Sequence, residues 1–134
     1  MKVYVAGSLS DVGAVQEIQA TVIAAGHDVV LDWTRAADID VSDYASNPVE
    51  SGRVALEDLR AVLAADAVLV VVSEHSGRGM FVELGAALCR AEQGDLEQVV
   101  VIGSVRHDSV FYYHPAVRRW STVDEWLMSL TRNV

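Results

Sequence analysis

In this 134-residue sequence, one glycine-rich loop could bind a ligand and the acidic residue that follows it could react with that ligand. The loop, Ser76-Gly77-Arg78-Gly79, precedes a predicted helix, and its glycines let the backbone approach a ligand closely. The free N–H groups at the helix start would suit a phosphate, a carboxylate or a sugar hydroxyl. Glu83 lies about one turn into that helix, where the helix dipole favours the carboxylate form, so it could act as a nucleophile or a base. An acid near a helix start is also common simply because it stabilises the helix.

Asp58 is the second candidate acid. On its predicted helix, Ala55, Leu59 and Val62 form an apolar stripe that we expect to be buried. Asp58 lies at the edge of that stripe, whereas Glu57 points away from it. An acid beside a buried face can be a general acid directed into a cleft, or it can be a solvated boundary residue. The sequence leaves both interpretations open.

The spacing of other reactive residues excludes several kinds of site. The chain has no Walker A motif, and its first strand-to-helix turn, Gly7-Ser8-Leu9-Ser10, lacks the GxGxxG pattern of dinucleotide sites. The four histidines show no metal-ligand spacing and there is no cysteine pair, so we expect neither a metal nor a cofactor. Cys89, the single cysteine, excludes a disulfide framework and is expected to be a small core residue.

Composition and charge limit the class of protein. The sequence is 51% hydrophobic and has a formal net charge of −9, from 10 basic and 19 acidic residues. The apolar fraction excludes a disordered chain and predicts one domain over residues 1–134. Nucleic-acid binding requires a basic face, so nucleic acid is not an expected partner. The longest apolar run, residues 67–72, is too short to span a membrane, and no signal peptide is visible, so we expect a cytoplasmic protein without a membrane partner.

Strand and helix patterns alternate along the chain and must position these residues. Helices are expected from Ser10 or Asp11 to Gly26, from Asn47-Pro48 to about residue 64 or 65, from the glycine-rich loop to Gly94, and after Ser121 or Thr122. Strands are expected at 2–6, 28–33, 67–72, 98–102 and 118–120. This alternation predicts right-handed βαβ units and a five-stranded parallel sheet in a three-layer α/β/α fold, Rossmann-like or flavodoxin-like.

Three loops leave the carboxyl ends of the predicted strands, where ligands bind in sheets of this kind. They are Gly7-Ser8, Asp32-Trp33-Thr34 and residues 73–79, and we expect them to line one substrate site. Trp33 could stack on a base or could be a core tryptophan. The aromatic segment Phe111-Tyr112-Tyr113-His114-Pro115 could be a lid or subunit contact, or a loop packed by its own aromatic rings.

Four segments in order along about residues 1–103 carry a family resemblance. They are Tyr4-Val5-Ala6-Gly7-Ser8, Glu57-Asp58-Leu59, Ala65-Asp66-Ala67-Val68 and Gly79-Met80-Phe81-Val82-Glu83-Leu84-Gly85-Ala86-Ala87. Together they resemble the nucleoside 2-deoxyribosyltransferase family, including its branch of 2′-deoxynucleoside 5′-phosphate N-hydrolases. The Glu-Leu-Gly-x-Ala element at 83–87 is the most specific part of the resemblance.

The resemblance implies a role for each matched residue. Glu83 would attack the anomeric carbon and form a glycosyl-enzyme ester, through an oxocarbenium-like state that a carboxylate stabilises. Asp58 would assist protonation of the leaving group or positioning of the sugar. Tyr4 would orient the nucleophile or the sugar. The turn at 7–8 would line the pocket, and the loop at 76–79 would hold the 5′ end.

The chain also departs from the family pattern. Ser10 stands where the N-hydrolases carry an arginine for the 5′-phosphate, so Arg78 or Arg53 would have to replace that arginine. Gly77 stands where the transferases carry an aspartate. The spacing from Gly79 to Glu83 is longer than is usual and closer to that of phosphoribohydrolases that release cytokinin bases. The sequence therefore does not separate a transferase from a hydrolase.

Three functions follow as hypotheses. The first is an enzyme that cleaves the N-glycosidic bond of a (deoxy)nucleoside or nucleoside monophosphate, by hydrolysis or by base exchange. The second is a sensor module that binds a nucleotide or nucleotide sugar without turnover. The third is a small interaction protein. The resemblance also implies a homodimer or larger homo-oligomer with sites at subunit interfaces, and residues 111–115 are our candidate for the part donated to the neighbour.

Overall fold

Within residues 1–36 and 43–132, which the computed structural model describes, five parallel strands form one sheet in the order β2-β1-β3-β4-β5. The strands are β1 (Lys2–Ala6), β2 (Asp28–Val29), β3 (Ala67–Val71), β4 (Gln98–Ile102) and β5 (Val117–Trp120). The α-helices are α1 (Val12–Ala24), α2 (Pro48–Ala64), α3 (Arg78–Glu92) and α4 (Val123–Thr131). This strand order is the flavodoxin-like one, and it confirms the expected α/β/α fold.

The helices form two layers, one on each face of the sheet. α1 packs beside α4, and α2 packs beside α3. The direction of the crossovers explains this, since β1-α1-β2 runs toward one sheet edge while the β2-α2-β3 and β3-α3-β4 units run toward the other. The central strand β3 pairs with β1 and β4 along its length, and all its residues are buried because both of its faces are covered.

The second strand is shorter than expected. The sequence predicts a strand over 28–33, but β2 ends at Val29 and a short 3₁₀ helix (Trp33–Ala36) follows. A side-chain turn is the reason: the Asp32 carboxylate accepts a hydrogen bond from the Thr34 backbone N–H at 3.1 Å. The indole N–H of Trp33 donates to the carbonyl of Val5 at 2.6 Å, so a side chain satisfies this β1 carbonyl beyond the end of β2.

The buried face of α2 differs from the predicted stripe. Ala55 and Leu59 are exposed, while Ala61 and Val62 are buried and Asp58 is half-buried on the inward side. The expectation was wrong because α2 carries two apolar rows with helical spacing, and periodicity alone does not show which row faces the sheet. As a consequence, Asp58 lies on the inner face of the helix and not at its edge.

The expectation for the single cysteine is also wrong. Cys89 is exposed on α3, because Ala87 and Leu88 form the inward face of that helix.

The ends of several elements agree with expectation: Asn47 is the N-cap of α2, and Thr122 caps α4 by accepting from the Glu125 N–H at 3.2 Å. None of the helices in the described residues combines the length and apolar character needed to cross a membrane.

Candidate active site

The carboxyl group of Glu83 and the hydroxyl of Tyr4 form the centre of the site. Glu83 lies on the inward side of α3 and is only 8% exposed, and Tyr4 lies in the middle of β1 and is fully buried. The Tyr4 hydroxyl donates a hydrogen bond to Oε2 of Glu83. Side chains alternate between the two faces of a strand. The hydrogen bond to Glu83 on α3 shows that Tyr4 points to the sheet face that α2 and α3 cover.

The environment of Glu83 favours its protonated form. Burial raises the pKa of Glu83 to about 7; the hydrogen bond from Tyr4 lowers it, and the charge of Asp58 raises it. The helix dipole was expected to favour the carboxylate, but burial outweighs this effect on the pKa of Glu83. The dipole acts mainly within the first turn, and Glu83 lies beyond the first turn of α3, which begins at Arg78. Near neutral pH, Glu83 is therefore divided between carboxylate and acid.

The Tyr4 hydroxyl is a permanent hydrogen-bond donor at ordinary pH. Burial raises the pKa of this phenol well above its usual value, and the charges of Glu83 and Asp58 raise it further. Because the hydroxyl keeps its proton, it holds one oxygen of Glu83 and leaves the other oxygen free of this bond.

Asp58 belongs to the same electrostatic cluster. Burial raises the pKa of Asp58 to about 6, and the charge of Glu57 adds to the effect. The charge of Asp58 in turn raises the pKa values of Glu83 and Tyr4. The structure thus brings the three residues predicted as catalytic within electrostatic range of one another, on β1, α2 and α3.

Two glycines hold the loops around this cluster in close contact. A Cβ atom on Gly77 would lie 3.0 Å from the Cα of Ser8 and 3.2 Å from the Cβ of Met80. A Cβ atom on Gly7 would lie 2.7 Å from the Cγ2 of Val15. The close packing leaves Ser8 only 7% exposed, directly beside the start of α3.

The start of α3 presents backbone donors. No side chain of the described residues caps the helix at Gly77, so its first N–H groups are available to an anion or hydroxyl. Ser76, Arg78 and Gly79 are exposed at this end. Arg53 forms ion pairs with Glu50 and Glu57 on α2, so Arg78 is the better placed of the two arginines considered for a phosphate.

In the loop after β2, the side chains of Asp32 and Trp33 form hydrogen bonds to neighbouring groups of the protein. Partial burial opposes ionisation of Asp32, but hydrogen bonds from Thr34 and Arg35 outweigh it and hold the pKa of Asp32 below its usual range. Trp33 is 8% exposed and its N–H is bound to the Val5 carbonyl. These contacts favour the core interpretation of Trp33 over the base-stacking one.

The aromatic segment 111–115 has one ring packed in the protein and two rings exposed at the surface. Tyr112 is buried and its ring lies 5.6 Å from that of Phe81 on α3. Phe111 and Tyr113 are exposed, and the guanidinium of Arg119 lies 4.3 Å from the centre of the Tyr113 ring. One ring therefore anchors the segment beside α3 and two remain at the surface.

A hydrogen bond that no sequence pattern predicts links two of the site loops. The Ser73 hydroxyl donates to Oδ2 of Asp11 at 2.6 Å and accepts from the His75 N–H at 2.9 Å. Ser73 and Asp11 are 62 positions apart, so no local pattern signals the pair. The bond ties the loop that precedes α3 to the turn that precedes α1.

Among solved structures, the chain is similar to the Clostridium botulinum CMP N-glycosidase BcmB. The two agree with a TM-score of 0.56 over 100% of each chain, at 11% sequence identity. No protein-family model matches the chain, and no curated protein is significantly similar to it in sequence. At this identity the likeness establishes a shared fold.

Proposed function

We propose that this chain cleaves the N-glycosidic bond of a (deoxy)nucleoside or nucleoside monophosphate, with Glu83 as the nucleophile. The observation that carries the proposal is a buried carboxyl group bound by a tyrosine hydroxyl, with a second acid close enough for its charge to act on both. The CMP N-glycosidase of the same fold supports the class of bond. The family resemblance of the segments around Tyr4, Asp58 and Glu83 supports the assignment of roles.

Glu83 would react through the oxygen that Tyr4 does not hold. Cleavage of an N-glycoside passes through an oxocarbenium-like state, which a nearby carboxylate stabilises most effectively where water is excluded. The free oxygen, Oε1, forms a bond to the anomeric carbon, and the C–N bond breaks with its electron pair leaving on the base. Water then attacks the ester in a hydrolase, and a second base attacks it in a transferase.

The ionisation of Asp58 favours one of the two roles considered for this residue. Burial raises the pKa of Asp58 to about 6, so its carboxyl group is mainly ionised at neutral pH and above. An ionised carboxylate accepts hydrogen bonds and has no proton to donate. We infer that Asp58 positions the sugar through its hydroxyl groups, and that the departing base takes its proton from water.

The 5′ end of the substrate would lie at the start of α3. The uncapped N–H groups there, together with Arg78 and the adjacent Ser8, suit a 5′-hydroxyl or a 5′-phosphate. The sugar would then extend from this end toward Glu83, which is on the same helix. A 5′-phosphate would gain from both the helix dipole and the arginine.

Chromatography of reaction mixtures tests the proposal. Deoxynucleosides, ribonucleosides and their monophosphates are incubated with the wild type, with and without an acceptor base, and the released or exchanged base is measured. We expect base release by the wild type and none by Glu83→Gln, which retains an oxygen for Tyr4. Glu17→Gln, which changes an exposed acid on α1 in the opposite helix layer, is the matched control and should keep its activity. Tight nucleotide binding with no base release would instead identify a sensor module and refute the proposal.

A further inference from the structure

The guanidinium group of Arg90 joins the end of α2 to the end of α3. Arg90 lies on α3, and its Nη1 donates to the carbonyls of Val62 and Ala65 at 2.6 and 2.8 Å. Its Nε donates to Oδ1 of Asp95 at 3.1 Å, and its Nη2 donates to the carbonyl of the same residue at 3.0 Å. The side chain of Arg90 is only 14% exposed. One planar group thus forms four hydrogen bonds with its five N–H donors.

Arg90 supplies hydrogen-bond donors that the last turn of α2 lacks. The final carbonyls of a helix have no partner within the helix and carry a partial negative charge. The last turn of α2 contains no basic residue, and the chain is already extended at Ala65, which follows it. A cation from the neighbouring helix therefore satisfies these carbonyls. Because the donors of a guanidinium group form a rigid fork, they fix α2 in both distance and direction, which a lysine could not do.

The position of Arg90 relates these bonds to the two acids of the candidate site. Both helices connect parallel strands of one sheet, so α2 and α3 run in the same direction. On α2, Asp58 lies about one turn before Val62. On α3, Glu83 lies about two turns before Arg90. The same pair of helices therefore carries the acids toward one end and the bonds of Arg90 toward the other.

The carboxyl group of Asp58 depends on α2 for its position. Tyr4 holds Glu83 by a hydrogen bond, whereas no hydrogen bond from the described residues acts on the carboxyl group of Asp58. Within residues 1–36 and 43–132, the bond from Arg90 to Val62 is also the only hydrogen bond between α2 and α3. The distance between the two acids is therefore set by how α2 packs against α3, and Arg90 holds that packing.

We propose that Arg90 is a positioning residue that holds α2 against α3 and thereby sets the distance between the carboxyl groups of Asp58 and Glu83. Apart from burial, the groups that act on the proton affinity of Glu83 are Tyr4 on β1 and Asp58 on α2. Arg90 is about 10 Å further along α3, at 1.5 Å per residue, and is not one of them. The effect of Arg90 on the reaction rate rests on the proposed function, but its effect on Glu83 does not.

A carbon NMR titration of the Glu83 carboxyl group in the full chain tests the proposal. Arg90→Met keeps an apolar side chain of similar length and removes the donors, so α2 is free to move away from α3. The pKa of Glu83 should then fall by roughly 0.5, the change expected when two unit charges move from about 6 to about 8 Å apart at an effective dielectric constant of about 20. Loss of a nearby positive charge would instead raise the pKa of Glu83, so the sign separates a positioning effect from a direct one.

The Asp58→Asn background shows whether the effect passes through Asp58. There Arg90→Met should leave the pKa of Glu83 nearly unchanged, because the charge that Arg90 positions has been removed. Arg90→Lys keeps the positive charge but cannot form all four bonds, so it should lower the pKa of Glu83 by a smaller amount. Circular dichroism verifies that each variant is folded, and Arg90→Lys decides the test if Arg90→Met is not.

Thr122→Ala is the matched control for a general loss of stability. It removes the side-chain cap of α4 in the opposite helix layer, which typically costs about 1 kcal/mol, and should leave the pKa of Glu83 in place. An equal fall of this pKa in Thr122→Ala would overturn the proposal. So would an equal fall caused by Arg90→Met in the Asp58→Asn background, or a pKa of Glu83 that stays unchanged or rises in the Arg90 variants.

The pH profile of base release separates this inference from the proposed function. In Arg90→Met the rise of kcat/KM with pH should move to lower pH by the same amount as the pKa of Glu83. Absence of base release by the wild type would refute the proposed function, whereas the NMR titration would still decide whether Arg90 positions the two acids.

Discussion

Removal of the Tyr4 hydroxyl should move the pH dependence of catalysis in a defined direction. The hydroxyl donates to the Glu83 carboxylate and so lowers the pKa of Glu83. Burial has the larger, opposite effect, and with both present this pKa is raised to about 7. Tyr4→Phe keeps the buried ring and removes only this donor. A hydrogen bond to a charged group contributes about 1.5–3 kcal/mol, and 1.36 kcal/mol corresponds to one pKa unit, so the pKa of Glu83 should rise by roughly 1–2.

The assay is kcat/KM for base release between about pH 5 and pH 10. For the wild type we expect activity to rise with pH through about 7 as Glu83 ionises. In Tyr4→Phe the rise should occur at higher pH, with most of the activity recovered once Glu83 is ionised. Tyr112→Phe is the control, because this buried tyrosine is not bonded to Glu83. A rise that stays in place or moves to lower pH would refute the assigned hydrogen bond, and carbon NMR of Glu83 gives its pKa even without turnover.

Four further variants test the electrostatics and packing of the site. In Asp58→Asn the charge that raises the Glu83 pKa is lost, so the rise in kcat/KM should move to lower pH while the rate falls. Glu83→Gln should raise the free energy of unfolding at pH 8. Burial favours the protonated form of Glu83, so the stability of the wild type is full below the unfolded pKa of this residue and falls as the pH rises through about 7. Glutamine has no proton to lose and avoids this fall. The gain over wild type is about 3 kcal/mol at most in thermal or urea unfolding, and it should vanish near pH 4. Gly77→Ala should destabilise by about 1–3 kcal/mol in urea unfolding, because its Cβ would meet the Ser8 backbone at 3.0 Å, whereas Gly79→Ala meets nothing within 4 Å and should be neutral or slightly stabilising.

The elements that depend on local chemistry could be read from the sequence. The all-apolar run at 67–72 became the central strand, which ends one residue earlier, at Val71, and Asn47 with Pro48 began α2 at the predicted residue. The alternation of strands and helices predicted a parallel sheet because a parallel connection requires a crossover. The shortening of β2 also has a local cause, the Asp32–Thr34 turn, which the apolar pattern at 28–33 does not reveal.

Which side of each helix packs against the sheet could not be predicted from local patterns. Two apolar rows run along α2, and only contact with the sheet and α3 decides that Ala61 and Val62 are inside while Leu59 is outside. The same contacts leave Cys89 exposed on α3. Periodicity shows that a helix has an apolar face, but the energy of burial depends on what the neighbouring element covers.

The residue types of the candidate site and the elements that carry them follow from the sequence: Tyr4 on a strand, Asp58 and Glu83 on helices, and glycines in the loops between. The folding of these elements against one another brings a hydroxyl and a carboxyl group 79 positions apart into one hydrogen bond. Folding also sets their proton affinities, since burial raises the pKa of Glu83 against the expectation from its place in the helix. Protonation depends on solvent exclusion and on charges from several elements at once, and these exist only after the chain has folded.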